Sequence, residues 1–307
     1  MKIISTCKRT SSNLVEFKKL SKELNFDYIE VFPENQGFTS NKMIEILADA
    51  TICIVGDDII DKKVIDSSKQ LKYIIKWGAG TDQIDVEYAD TKNIAVANTP
   101  NILGKYVAEF VLGLIISSLR KITQNHINMQ SGLWDKTVGE SLYGKTIGFY
   151  GFGDISKNVT KLLEPFDCEI LYTDMINQNV ENAKYLNFDS LIKLSEVIII
   201  AAPLTVDTNG VFNEKSLKNA DNLQLLINVS RGELINEYDI FNMFETKKIE
   251  LLALDVFEKE PPVLDREILY DKNILFTSHN ASNTIKANDD VNNVIIKKIR
   301  DYIQEKQ

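Results

Sequence analysis

The sequence predicts an α/β protein of two domains, one inserted into the other, on three observations. Short β-rich runs alternate with helical patterns along the chain, the arrangement that builds parallel sheets. A glycine turn, Gly151-Phe152-Gly153, stands between one such run and an amphipathic segment, with a further run and an acid after it. A helical pattern from Thr284 to Gln304, with Val291, Val294, Ile295 and Ile299 on one face, is left over beyond the last run.

In the first hundred residues the runs are Lys2 to Ser5, Tyr28 to Phe32, Thr51 to Val55, Leu71 to Lys76 and Ile94 to Ala97, which make one α/β domain. A long helical pattern then extends from Gly104 to about Gly132, with Val107, Val111, Leu114, Ile115, Leu119 and Ile122 at three- and four-residue steps. Its apolar face exceeds what one small domain needs, so it packs either against a second subunit or on its own domain. Further runs follow at Thr146 to Gly151, Cys168 to Thr173, Val197 to Ala201, Leu225 to Val229, Glu250 to Leu254 and Asn273 to Thr277. A domain that starts after residue 100 and ends near 280, with a helix to spare, requires the chain to leave the first domain and return to it.

The glycine turn reads as a dinucleotide site. Gly151 and Gly153 supply a tight turn and a close backbone approach to a pyrophosphate, and Ile155, Val159, Leu162 and Leu163 give the next segment helical spacing. The N–H groups at the start of that helix, at Asp154 and Ile155, would face the phosphates. Asp174 follows Gly153 by 21 residues, at the end of the second strand, where a carboxylate accepts from the ribose hydroxyls. The Asp154 carboxylate is unfavourable beside a phosphate unless it turns away or caps the helix. Ser156 stands where the fingerprint prefers glycine or alanine.

A formal net charge of −9 argues against nucleic acid or an anionic membrane as the main partner, although basic residues inside a cleft leave anionic small substrates open. Polar residues from Thr6 to Asn13 follow Met1-Lys-Ile-Ile-Ser directly, so no signal-peptide core is expected, and Phe110 to Ile116 is too short to span a bilayer. Cys7, Cys53 and Cys168 lack C-x-x-C spacing and read as buried, reduced thiols of a cytoplasmic protein, with no metal site.

Three charged residues stand just past strand ends, where ligands bind in an open α/β sheet: Arg231, Glu260 and His279. Of the two histidines, His126 lies among Gln124, Asn125 and Asn128 on the long helical segment and reads as a solvated or interface residue. His279 is therefore the candidate general base.

The segments Lys76-Trp-Gly-Ala-Gly-Thr-Asp-Gln-Ile-Asp85, Gly144-Lys-Thr-Ile-Gly-Phe-Tyr-Gly-Phe-Gly-Asp-Ile155, Ala202-Pro-Leu-Thr205 with Thr208, Ile227-Asn-Val-Ser-Arg-Gly-Glu-Leu234, Leu254-Asp-Val-Phe-Glu-Lys-Glu-Pro261 and Thr277-Ser-His279 occur in register over nearly the whole length. In these the chain resembles the D-isomer-specific 2-hydroxyacid dehydrogenases, the family of phosphoglycerate dehydrogenases and of glyoxylate and hydroxypyruvate reductases. The resemblance implies a Rossmann-type NAD-binding domain, residues 100–281, inserted into a flavodoxin-like substrate domain, residues 1–99 and 282–307. It implies that Arg231 binds the carboxylate and carbonyl oxygen of a small 2-oxo acid, that His279 exchanges the hydroxyl proton, and that Glu260 holds His279. NAD is the implied cofactor, with Pro203, Thr208, Val229, Ser230 and Asp255 joining Gly151, Gly153, Asp154, Ile155 and Asp174 around it. Gly78, Ala79 and Gly80 match the substrate loop and read otherwise as a plain tight turn. Lys76 either meets a second anionic group of the substrate or snorkels to solvent. A homodimer through residues 104–132 is expected. The family also includes corepressors that sense the dinucleotide, and turnover separates these two readings.

Overall fold

The computed structural model describes residues 1–34 and 36–306. The chain divides into two compact units, Met1–Leu103 with Asn283–Gln307, and Gly104–Ser282.

The first unit holds β1 (Lys2–Ser5), α1 (Leu14–Leu24), β2 (Asp27–Glu30), α2 (Ser40–Ile46), β3 (Ile52–Val55), α3 (Lys62–Ser67), β4 (Tyr73–Lys76), α4 (Val86–Thr91) and β5 (Ala95–Ala97). Its strands form a parallel sheet in the order β2-β1-β3-β4-β5, the flavodoxin-like arrangement. Successive residues of a strand point to opposite faces, and both faces of this sheet are covered. Ile52, Ile54, Tyr73 and Ile75 therefore join one core with Phe17 and Leu20, while Cys53, Val55 and Ile74 join another with Met43, Val64 and Ala89. Asp61 and Asp85 start α3 and α4 by accepting the N–H groups of Val64 and Tyr88.

The second unit holds α5 (Gly104–Leu119), α6 (Ile122–Gln130), β6 (Thr146–Tyr150), α7 (Asp154–Leu163), β7 (Glu169–Thr173), β8 (Lys184–Tyr185), α8 (Phe188–Leu194), β9 (Val197–Ile200), β10 (Leu225–Asn228), α9 (Glu237–Glu245), β11 (Leu251–Leu254), α10 (Arg266–Leu269) and β12 (Ile274–Phe276). The strands run parallel in the order β12-β11-β10-β9-β6-β7-β8, the doubly wound Rossmann order with one strand added. The last helix, α11 (Ile285–Gln304), returns to the first unit. Thr284 caps it, and it buries Val291, Ile295 and Ile299 beside the strands of that sheet.

The expected helix from Gly104 to Gly132 is two helices. The chain breaks at Arg120 and Lys121, where Lys121 adopts φ +51° and the returning N–H of Glu140 takes the Leu119 carbonyl at 2.8 Å. That carbonyl is one that a further helical turn would have used. The stripe Val107, Val111, Leu114, Ile115 and Leu119 lies in the core of its own unit with Val159 and Leu163 of α7. Docking on its own domain thus accounts for α5, while Ile122, Met129, Leu133, Trp134 and Val138 beyond the break stay exposed.

Cys7 and Cys53 are buried free thiols, and burial pushes the Cys7 thiol up to about 11. Cys168 departs from expectation in being only half-buried. Among the described residues no helix is long and apolar enough to cross a membrane.

Gly151 closes β6 at φ +87°, and a Cβ there would lie 2.6 Å from the Ala202 Cα. Gly151→Ala is expected to lower the melting temperature through backbone strain of about 1–3 kcal/mol, with the steric clash added to it. An unchanged melting curve would contradict this packing.

Candidate active site

Because β10, β11 and β12 are neighbours and all run the same way, the loops after them meet at one edge. Arg231 follows β10, Glu260 follows β11 and His279 follows β12. The His279 Nδ1 lies 2.9 Å from the Glu260 Oε2, and both side chains are three-quarters or more buried. The other Glu260 oxygen accepts the Phe257 N–H, so the carboxylate is held at both ends. Arg231 anchors its guanidinium partly on the Ser230 carbonyl, and its own carbonyl accepts from the Asn228 side chain. The loops of Arg231 and Glu260 approach closely because position 232 is glycine: a Cβ there would sit 1.8 Å from the Phe257 carbonyl carbon.

Asp255 organises the third loop. It is buried, and its carboxylate accepts from Thr277 Oγ1 at 2.6 Å, Asn280 N at 2.8 Å and Ala281 N at 2.9 Å. Its carbonyl takes the His279 N–H at 2.7 Å, and His279 itself sits at φ +49°, a conformation that a non-glycine residue adopts only when its surroundings hold it there. Asp255 thus shapes the turn that presents the histidine. Its sequence signal, an acid at a strand end, was visible, but the partners Thr277, Asn280 and Ala281 carry no motif.

At the other half of the edge, β6 and β9 flank the point where the strand order reverses. The glycine turn stands there against Ala202. Ser156 is fully buried and its hydroxyl donates to the Gly151 carbonyl at 2.6 Å, which ties the start of α7 to the turn. Asp154 turns away, its carboxylate accepting from Gly104 N at 3.1 Å at the start of α5 and from Asn158 Nδ2 at 2.9 Å. Only its backbone N–H, with that of Ile155, stays with the α7 N-terminus. Asp174 accepts from Phe152 N at 2.7 Å, Met175 N at 2.7 Å and Gln178 Nε2 at 3.2 Å. Gln178, which no motif singles out, also donates to the Phe152 carbonyl and so ties the acid to the turn. Thr208 donates to the Pro203 carbonyl at 2.8 Å, Ser230 donates to the Ala202 carbonyl, and Val229 pairs with Ile200. A space that a Cβ would fill, a row of helix-terminal N–H groups and a carboxylate fixed beyond them suit a dinucleotide.

In the first unit, Lys76 ends β4 but reaches neither solvent nor an open space. It is 4% exposed, its ammonium donating to the Gly56 carbonyl and pairing with Asp57 at 3.0 Å. Of the Gly78-Ala79-Gly80 loop, the Gly78 N–H is taken by Thr99 Oγ1 at 2.8 Å and the Ala79 carbonyl by Asn98. The N–H groups of Ala79 and Gly80 have no partner among the described residues.

Known proteins share this arrangement. Residues 112–281 match the model of the D-isomer-specific 2-hydroxyacid dehydrogenase NAD-binding domain. The chain is 34% identical over 250 residues to a glyoxylate reductase of Thermofilum pendens, covering 78% of this chain and 74% of that protein. It is 30% identical over 282 residues to a hydroxypyruvate reductase of Thermotoga maritima, covering 90% and 92%. The solved structure of a glyoxylate reductase from Paecilomyes thermophila superposes with a TM-score of 0.87 at 25% identity, over 100% of this chain and 96% of that one. With a doubly wound nucleotide unit, the glycine turn and an extended match in sequence, the chain belongs to the D-isomer-specific 2-hydroxyacid dehydrogenase family.

Proposed function

We propose that this protein interconverts a D-2-hydroxy acid and its 2-oxo acid with NAD(H), with His279 moving the proton. The observation that carries this reading is the 2.9 Å contact between His279 Nδ1 and Glu260, beside Arg231 on the neighbouring loop. Glu260 holds Nδ1, and in this reading Nε2 is the atom that meets the substrate. In the oxidative direction Nε2 takes the hydroxyl proton while the C2 hydrogen leaves as hydride, and the carboxylate favours the imidazolium that forms. In reduction the same imidazolium returns the proton to the oxygen. A nicotinamide cofactor, when bound, supplies the hydride acceptor or donor.

Arg231 offers a planar fork to the carboxylate and carbonyl oxygen, orienting the acid and polarising C2. In the first unit the N–H groups of Ala79 and Gly80, on the loop that Gly78 shapes, are donors of the kind a carboxylate takes. Lys76 is left outside the substrate contacts, since its charge is met by Asp57. Gly151, Gly153 and the N–H groups of Asp154 and Ile155 would hold the pyrophosphate, Asp174 the ribose hydroxyls, and Pro203, Thr208, Val229 and Ser230 the remaining rim. Asp255 serves chiefly by holding the His279 turn. Two largely buried, free thiols fit a reducing cytoplasmic setting. The exposed apolar residues Ile122, Met129, Leu133, Trp134 and Val138 support a homodimer built on this segment, because single proteins rarely leave such a strip in water.

Purified protein is expected to consume NADH with at least one of glyoxylate, hydroxypyruvate, phosphohydroxypyruvate, pyruvate or a branched oxo acid. His279→Ala is expected to lower kcat by about 10²–10⁴-fold with NADH binding retained, since general acid–base help is of that size. No turnover by the wild type, or full activity in the folded variant, overturns the reading.

Asp174 gives ribose hydroxyls an acceptor and repels a 2′-phosphate, so NADH is expected to exceed NADPH in kcat/KM. Asp174→Ala should narrow the gap; equal efficiency in the wild type contradicts the assignment.

Sedimentation is expected to find a dimer, and Trp134→Glu to shift it to monomer. A wild-type monomer at micromolar concentration rules out this interface.

A further inference from the structure

Arg231 and Glu260 follow different strands of the second unit, and their two loops are joined at a point that the acid–base pair itself does not use. Glu237, the first residue of α9, and Glu258, on the loop after β11, exchange hydrogen bonds. The Glu258 N–H donates to Glu237 Oε1 at 2.7 Å, and the Glu237 N–H donates to Glu258 Oε1 at 2.9 Å. Gly232 presses on the same peptide, since a Cβ there would run into the Phe257 carbonyl and the Glu258 nitrogen. The Phe257–Glu258 peptide is thus held from the β10–α9 segment by the Gly232 backbone and by the Glu237 carboxylate. From that peptide the contacts lead straight to the histidine: the Phe257 N–H donates to Glu260 Oε1 at 3.1 Å, and Glu260 Oε2 holds His279 Nδ1 at 2.9 Å.

The two halves of the exchange differ in their surroundings. Glu258 is exposed, and its carboxylate meets the N-terminus of α9, where negative charge is favoured. Glu237 is half-buried among like charges. Burial raises its pKa, the Glu258 N–H opposes that, and the charges of Glu258, Glu233 and Glu260 raise it further. Capping of α9 does not require an acid at this position, because the Asn236 side chain already accepts the Asp239 N–H at 3.1 Å. The return for placing a carboxylate there is the grip on the Glu258 N–H.

Resting on the dehydrogenase reading, we propose that Glu237 is a positioning residue of the reaction: its carboxylate fixes the Phe257–Glu260 turn and, through it, the Glu260 oxygen that orients His279. It acts through Glu260 and not on the reacting atoms.

Steady-state reduction of an oxo acid by NADH tests this in single and double variants. Glu237→Ala, which removes the acceptor, is expected to lower kcat by about tenfold to a hundredfold, the scale on which a small misplacement of a reacting group acts. KM for the oxo acid and the Kd for NADH should change little. Glu237→Gln keeps an acceptor for the Glu258 N–H and should restore most of the rate. In a Glu260→Ala background Glu237→Ala should cost nothing further, because effects routed through one residue are not additive. Full kcat in Glu237→Ala, a Gln variant as impaired as the Ala variant, or the same loss in both backgrounds overturns the proposal.

Nitrogen-15 NMR reads the His279 ring without turnover, and the chain has only two histidines, so a His126→Gln variant assigns the signals. At a pH where the ring is neutral, wild type is expected to carry its proton on Nδ1, facing Glu260. Glu237→Ala, or the milder Glu237→Asp that draws the acceptor back by one methylene, should move population to the Nε2-protonated tautomer. An unchanged tautomer in both variants overturns the proposal. A shifted tautomer in a protein that consumes no NADH with any oxo acid would leave Glu237 in its role and overturn only the reaction.

Discussion

Every strand of the seven-stranded sheet runs in the same direction, and a parallel pair cannot be joined by a tight turn. Each connection crosses a face of the sheet as a helix or long loop, so all strand ends with the same polarity collect at one edge. That constraint brings together Arg231, Glu260 and His279, which are far apart in the chain but lie after three neighbouring strands. It also leaves Arg231, the nearest of the three, separated from the glycine turn by the width of β9 alone, since β9 lies between β10 and β6.

Within this frame, three buried or half-buried carboxylates do different work by choosing different backbone partners. Asp255 gathers two N–H groups and a hydroxyl and so bends the chain into the conformation that presents His279. Asp174 takes the N–H groups of Phe152 and Met175, which fixes it beside the glycine turn. Asp154 takes Gly104 N, which joins α7 to α5 and keeps its charge off the turn. A buried carboxylate without donors costs several kcal/mol, so each of these sites is built around its acid. Glu237 illustrates the opposite pressure: burial, followed by the repulsion of Glu258, Glu233 and Glu260, raises its pKa even though the Glu258 N–H donates to it.

What the sequence by itself determined was the sheet content, the glycine turn and the acids and bases at strand ends. Runs such as Ile52-Cys-Ile-Val and Val197-Ile-Ile-Ile are apolar at every position, as strands buried on both faces must be, and their spacing with helices leaves few alternatives to parallel sheets. Tertiary structure alone decided matters that depend on who stands opposite. The helical periodicity continues past Leu119, yet the helix stops because Glu140, far along the chain, takes a carbonyl there. Lys76 at the end of an apolar strand reads locally as a solvent-seeking side chain, but Gly56 and Asp57, just past the end of the neighbouring β3, take its ammonium into a half-buried ion pair. Gln178 carries no local pattern, because its partners, Asp174 and Phe152, stand at the ends of neighbouring strands. Periodicity reports which face of an element is buried; it cannot report which distant donor or acceptor that face will meet, and hydrogen bonds and ion pairs are decided at that second step.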